Sequence, residues 1–252
     1  MSERRAKIAC IVMASGEGKR FSPKKGGKLL APLDGIPVLK HVLQALPIED
    51  FCYVVVVTRW PEVEALCDAL QIKCVRHDNP LRSDTIREGM RAVFDGAADP
   101  SDMPDACLFV AGDQPLLTAD SIKRLLQTFR DVFGRGQSAV CRIGWKQEAG
   151  NPVLFPAAMF DELRSLEGNQ GGASLLREED RKSKEIQSKE IQDKGIQDEE
   201  IQGEGIQDKG IQNEGVQVLI VEAGSPYELM DVDSPEDLAK LESALYFAKI
   251  EK

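Results

Sequence analysis

The chain has 252 residues, a formal net charge of −10 and a pI near 4.9. That length suits one large α/β domain with a full core, and a single domain over 1–252 is the expectation. The acidic balance leaves no basic stripe to displace counterions from a nucleic-acid backbone, so nucleic acid is excluded as a partner and a small charged substrate is favoured.

No apolar run approaches the roughly 20 residues of a membrane span. The polar start Met1-Ser2-Glu3-Arg4-Arg5 leads into a segment too short for a signal-peptide core, so a cytoplasmic protein without a membrane partner is expected. Cysteines stand at 10, 52, 67, 74, 107 and 141 without C-x-x-C pairing, mostly within apolar runs, and read as reduced core thiols. His41 and His77 have no Cys or His partner at metal-ligand spacing.

In chain order, short apolar runs alternate with helical patterns through the first two thirds, the signature of βαβ units and a parallel sheet. The first strand, 7–13, runs into Ala14-Ser15-Gly16-Glu17-Gly18-Lys19-Arg20-Phe21. Small residues there let a ligand approach the backbone. A turn feeding a helix N-terminus offers oriented N–H donors to phosphate, with Lys19, Arg20 and Lys28 as mobile cations. The run is neither a Walker loop nor a Rossmann fingerprint, since Phe21 stands where the third Gly of the latter belongs, and an ordinary strand-to-helix turn is the alternative.

A helix at 37–46, a strand at 53–58, a helix at 62–70 and a strand at 72–76 follow. His77-Asp78-Asn79-Pro80 and Ser83-Asp84-Thr85-Ile86-Arg87 then form a polar loop opening a helix at 85–94. Asn79 can read a base or ribose and Ser83, Thr85 or Arg87 can touch phosphate, with simple turn and cap as the competing reading. The strand 106–111 ends abruptly in Gly112-Asp113, which sets a carboxylate at the sheet rim, where Mg²⁺ is shared between carboxylate and phosphate. Thr118 and Asp120 are available to cap the helix at 119–133, so capping does not require Asp113.

A strand at 138–143 precedes a tandem pentapeptide array, KEIQS to EGVQV, over 184–218. A five-residue period turns each Ile about 140° from the last on a helix and breaks strand alternation, so no continuous apolar face forms. Four lysines against nine acidic residues give the tract a charge of −5, and a solvated flexible insertion is expected, with a stacked β-solenoid as the alternative. A strand at 216–222 follows. Asp231 and Asp233, spaced i and i+2, share a face if extended, and Ser234-Pro235-Glu236-Asp237 opens a final helix.

Taken in this order, the motifs resemble the molybdenum cofactor nucleotidylyltransferases, most closely the cytidylyltransferase branch. The matching pieces are Met13-Ala14-Ser15-Gly16 with Gly18, Arg20, Phe21 and Lys28-Leu29-Leu30-Ala31; Gly35-x-Pro37-Val38; Asn79-Pro80 with Ser83-Asp84-Thr85-Ile86-Arg87-x-Gly89; Gly112-Asp113-Gln114-Pro115; Gly150-Asn151-Pro152-Val153-Leu154-Phe155; Gly171-Gly172-Ala173; and Asp231-Val232-Asp233-Ser234-Pro235. The resemblance spans nearly all of the chain outside the repeat. It implies a Rossmann-like three-layer nucleotidyltransferase fold with a mostly parallel central sheet.

It also implies that Ala14, Ser15, Gly16 and Gly18 bind the triphosphate and help choose the base, that Lys28 and Arg20 neutralise phosphate, and that Asp113 binds Mg²⁺. Asp233 is the second metal candidate with Asp231 behind it, and Gly150, Asn151 and Pro152 belong to the pterin side. Cytidine-using members carry Leu-Ala-Ala-Gly at the loop and guanosine-using ones Leu-Ala-Gly-Gly. Ser15 departs from both and lies closer to the cytidine pattern. Residues 22–27 are longer than the family's usual approach to the lysine, and the repeat is foreign to it.

The expected reaction is in-line attack by the phosphate of molybdopterin on the α-phosphorus of CTP, with pyrophosphate released and a recipient molybdoenzyme as a further partner. The rivals are a GTP-dependent or sugar-1-phosphate nucleotidylyltransferase and a non-enzymatic molybdopterin carrier.

Overall fold

The computed structural model describes residues 4–18, 20–21, 27–146, 148–176 and 217–250. Its centre is the strand β1 (Ile8–Ala14), in which Ile8, Cys10, Val12 and Ala14 face one core cluster while Ala9 and Ile11 face the other. A strand buried on both sides has no polar face, which is why its sequence reads as an uninterrupted apolar run. The strands β4 (Tyr53–Thr58) and β6 (Ala106–Ala111) flank it, both parallel to it.

Two short strands, β2 (Pro32–Leu33) and β3 (Ile36–Pro37), form a separate hairpin. Asp34 and Gly35 turn it, with φ of 50° and 80°. The main sheet is completed by β5 (Cys74–Arg76), β7 (Ala139–Trp145), β8 (Glu148–Pro156) and β9 (Gln217–Glu222), in the order β5-β4-β1-β6-β8-β7-β9. Only β8 runs against the rest.

Helices cover both faces. Apolar side chains of α1 (Val38–Ala45), α2 (Pro61–Ala69) and α4 (Ala119–Gly134) fill one cluster, and those of α3 (Arg82–Gly96) and α5 (Phe160–Ser165) fill the other. This is the three-layer α/β architecture that the resemblance implies, built on the parallel sheet expected from the alternation of elements. A third, smaller cluster of Leu33, Val38, Val232 and Leu241 fastens the last helix, α6 (Pro235–Ile250), to the β2–β3 hairpin.

The chain leaves β1 toward β4 and returns through α3 to lay β6 on the other side. Strand order therefore reverses between β1 and β6, and the crevice beyond their carboxyl ends is the place where such sheets bind ligands. Because β8 is antiparallel, its first residues, Ala149 to Asn151, reach this same rim.

Sequence reading placed the parallel strands and the helices to within a few residues and missed three elements: β8, the β2–β3 hairpin and α5. The strand expected at 72–76 is shorter, beginning at Cys74. The pentapeptide array lies outside the described residues except for Gln217 and Val218, which belong to β9 instead of an insertion. Within the stretch that begins with Gly171-Gly172-Ala173, residues 172–176 are helical. Cys10, Cys67, Cys107 and Cys141 are buried thiols as expected, whereas Cys52 is exposed. Among the described residues no helix is long and apolar enough to cross a membrane.

Gly89 lets α3 lie flush on the sheet: a Cβ there would stand 2.6 Å from Ile11 Cγ2 and 3.2 Å from Val57 Cγ2. Gly89→Val is expected to cost about 1–3 kcal/mol of stability, read as a lower denaturant midpoint at unchanged slope. A midpoint equal to wild type would show that the contact is not tight.

Candidate active site

The crevice opens into a cavity of about 470 Å³ lined at one end by Ser15, Gly16, Lys28 and Asp113. At the other end stand Phe109, Phe155, Leu163, Arg82, Arg142 and Asn151. The loop after β1 is fixed from outside. Thr58 Oγ1 donates to Ala14 O at 2.8 Å, Trp60 Nε1 donates to Gly16 O at 3.1 Å, and Arg59 reaches Glu17 at 3.4 Å.

Two glycines of the rim are required by its backbone. Gly18 has a φ of 55° and approaches Lys28 N so closely that a Cβ would sit 3.2 Å from it. At Gly112 a Cβ would meet Met13 O at 3.0 Å, so the ends of β1 and β6 close together only because that side chain is absent.

The centre of the site is a buried ammonium. Lys28, 7% exposed, lies in a short 3₁₀ turn that brings Nζ within 2.5 Å of Asp113 and 2.6 Å of Asp233. Burial alone would lower its pKa. The Asp113 and Asp233 carboxylates outweigh that and hold it above the ordinary lysine value. Asp233 arrives because Val232 plugs the third apolar cluster and its N–H donates to Asp113 O at 2.9 Å. The Ser234 hydroxyl and N–H both donate to Asp237 Oδ2, at 2.8 and 2.9 Å, which fixes the turn into α6.

Asp231 stands on the other side of Val232. It keeps substantial solvent exposure, yet the concave wall buries enough of its surroundings to push its pKa up to about 6, with the Asp113 charge as the next cause. Two carboxylates thus share one ammonium, with a third, Asp231, close enough to feel its charge. Among the described residues no three His, Cys, Asp or Glu side chains are gathered into a ready-made metal cage. Asp113 and Asp233, hard oxygen donors already bridged by one cation, nonetheless fit a divalent ion that draws its remaining ligands from a substrate phosphate.

The other expected site residues divide. Thr85, Gly150 and Asn151 line the cavity, as do Ser15 and Gly16. Ala14 is buried at the end of β1, and Pro152 is buried within β8. Ser83 is buried and donates to Gly168 O at 2.8 Å, so it ties α3 to a neighbouring loop and does not face the cavity. Arg87 pairs with Asp84 at 2.8 Å and donates to Leu166 O at 2.9 Å. Arg20 and Asn79 are exposed and outside the cavity lining.

Phe155, at the end of the segment Gly150 to Phe155 that the resemblance assigns to the pterin side, lines the cavity, as do Arg82, Arg142 and Phe109, to which sequence alone gives no site role. The signal was weak. Arg142 sits inside an apolar strand, and its guanidinium donates to Gly150 O at 2.9 and 3.1 Å, which no local motif announces.

Lys28→Met would leave Asp113 and Asp233 without their shared cation and remove the charge that draws the Asp231 pKa down, which raises that pKa further in the folded state alone. The folded form of the variant then binds protons that the unfolded form has released, so its stability falls as pH rises through the carboxylate range. Denaturation of wild type and variant at pH 5 and pH 8 is expected to show a gap that widens to about 2–4 kcal/mol at pH 8. A gap independent of pH would contradict the coupling.

Residues 10–184 match the family model described as a MobA-like NTP transferase domain. A bifunctional protein GlmU from Leifsonia xyli is 35% identical over 126 residues, which are 49% of this chain and 25% of that protein. A 3-deoxy-manno-octulosonate cytidylyltransferase from Bradyrhizobium diazoefficiens is 32% identical over 107 residues, 42% of each chain. The chain thus spans a quarter to less than half of the length of these two curated relatives.

Among solved structures, a nucleotidyl transferase from Methanothermobacter superposes with a TM-score of 0.64 at 21% identity, covering 96% of this chain and 99% of that one. A Mycobacterium tuberculosis protein in complex with manganese superposes with a TM-score of 0.61 at 19% identity, covering 94% and 99%. At these identities the structures speak for the fold, and the family match, which covers well over half of the sequence and contains both the loop after β1 and Asp113, identifies the chain as a member of the MobA-like NTP transferase domain family.

Proposed function

We propose that the chain is a divalent-metal-dependent nucleotidyltransferase that moves a CMP group from CTP to the phosphate of molybdopterin and releases pyrophosphate. The observation that carries this reading is the buried Lys28 ammonium held between Asp113 and Asp233 at the edge of the cavity, beside the glycine loop whose Ser15 and Gly16 line it. The family match and the cytidylyltransferase among the relatives support nucleotidyl transfer and the choice of CTP.

Charge balance supports the metal. Three carboxylates against one ammonium leave the unliganded cluster negative, and a triphosphate adds more negative charge, so a divalent cation is needed for both to meet. Asp113 and Asp233 would hold the Mg²⁺, which would supply neutralisation of the phosphate oxygens. The manganese complex of the M. tuberculosis relative agrees with a hard divalent ion.

The protein supplies little covalent chemistry. Lys28 stays protonated and keeps the two carboxylates in place, Gly16 and Gly18 bring backbone amides to the phosphates, and Ser15 and Thr85 face the base. Arg20 enters as a mobile cation from the exposed loop. Asn79, outside the lining but next to the cavity-lining Pro80, would reach base or ribose from the loop before α3, whose first turn Ser83 anchors. On the acceptor side Gly150 and Asn151 line the wall, with Pro152 behind them. Phe109, with Phe155 packed edge-to-face against it at a centroid distance of 5.9 Å, forms an aromatic part of the wall on this side. Arg82 and Arg142 are the cations nearest the acceptor's phosphate.

The names of two relatives, a 3-deoxy-manno-octulosonate and a 2-C-methyl-D-erythritol 4-phosphate cytidylyltransferase, favour a second reading, a sugar acid or a sugar-derived phosphate as acceptor. Pyrophosphate release from each NTP, with molybdopterin, 3-deoxy-manno-octulosonate or a sugar 1-phosphate as acceptor, separates the readings. CTP with molybdopterin is expected to be fastest, and chelation of divalent ions to abolish it. Asp113→Ala is expected to lose about 100- to 1000-fold in rate with an intact circular-dichroism spectrum. Molybdopterin binding without nucleotide consumption would instead indicate a carrier, and near-normal turnover of Asp113→Ala would sink the metal assignment.

A further inference from the structure

We propose that His77 is a positioning residue that holds the Ser15 hydroxyl as a hydrogen-bond acceptor facing the cleft, and that the pair thereby selects CTP over UTP. The inference rests on the nucleotidyltransferase reading above.

His77 follows β5 and is fixed by its backbone N–H, which donates to Thr58 O at 3.0 Å. It is 8% exposed and does not itself line the cavity. Its Nε2 lies 3.0 Å from Ser15 Oγ and 3.3 Å from Thr85 Oγ1, two cavity-lining hydroxyls contributed by different segments. Ser15 Oγ also stands 3.2 Å from Val57 O, to which it can only donate. Burial, chiefly, lowers the pKa of His77; Arg59 adds to this, while Glu88, Asp84 and Asp78 oppose it, and the ring is neutral near pH 7.

A neutral imidazole carries one N–H, and its position follows from the surroundings. His77 Nδ1 is buried and has no hydrogen-bond partner. An orphaned buried N–H is rarer in proteins than an under-used acceptor, so the proton belongs on Nε2. Nε2–H then donates to Ser15 Oγ, with Thr85 Oγ1 as a second acceptor. Ser15 spends its only proton on Val57 O and one lone pair on His77. The lone pair that remains is an acceptor. Where cytosine presents its N4 amine, uracil presents a carbonyl oxygen, and two lone pairs facing each other without a proton are unfavourable. Without His77 the hydroxyl is free to turn and donate, so discrimination is lost even though no group touching the base has been removed.

Calorimetric binding of CTP and UTP with Mg²⁺, in the absence of any acceptor, tests this. Wild type is expected to prefer CTP about tenfold to a hundredfold. His77→Leu and Ser15→Ala are each expected to bring the two nucleotides within about threefold, the double variant to go no further, and His77→Gln, which keeps a donor in place, to restore most of the preference. Equal affinity of wild type for CTP and UTP, or an undiminished preference in folded His77→Leu, would overturn the proposal. Should His77→Leu fail to fold, the imidazole ¹⁵N shifts of wild type decide, Nε2–H supporting and Nδ1–H overturning it. Failure to bind any triphosphate would refute the nucleotidyltransferase reading itself, and this inference with it.

Discussion

One buried ammonium organises this rim. Taking Lys28 out of water costs several kcal/mol unless the charge is met by well-placed partners, and the chain meets it with two carboxylates from segments far apart in sequence, Asp113 after β6 and Asp233 before α6. The contact dictates its surroundings. Gly18 must lack a side chain for Lys28 to approach the loop after β1, and Val232 must reach its apolar cluster for Asp233 to arrive. The same arrangement leaves excess negative charge, since Asp231 adds a third carboxylate, and that excess is the ground for the proposed divalent cation.

Topology decides what else can reach the ammonium. The reversal of strand order beside β1 opens the crevice, parallel strands deliver Ser15 and Asp113 from their carboxyl ends, and the one antiparallel strand delivers Gly150 and Asn151 from its amino end. The cavity therefore has two chemistries in one space. One end carries Lys28 and Asp113 beside Ser15 and Gly16, and the other carries Arg82 and Arg142 beside Phe109.

Much of this was legible in the sequence because the parallel strands are buried on both faces and end in abrupt polar turns. The runs before Ser15 and before Gly112-Asp113 carry that contrast plainly. β8 was not legible as a strand because Gly150 and Pro152 interrupt its first half and read as loop punctuation. The Asp34-Gly35 hairpin does carry the usual turn signal, but each of its strands is two residues long, too short for any periodicity. The meeting of Lys28 with Asp233 and of His77 with Ser15 is a product of the tertiary fold. Spacing along the chain, the only measure by which His77 was judged quiet, carries no trace of either.

The central claim is that Asp113 and Asp233 form a cation site completed by a nucleotide phosphate. Electron paramagnetic resonance of Mn²⁺ with a non-hydrolysable CTP analogue tests it most directly. The account requires weak Mn²⁺ binding to the protein alone, tight binding once the analogue is added, ³¹P hyperfine coupling in the ternary complex, and loss of that complex in Asp113→Asn. Mn²⁺ bound without ³¹P coupling, or a ternary complex unchanged in Asp113→Asn, would contradict it.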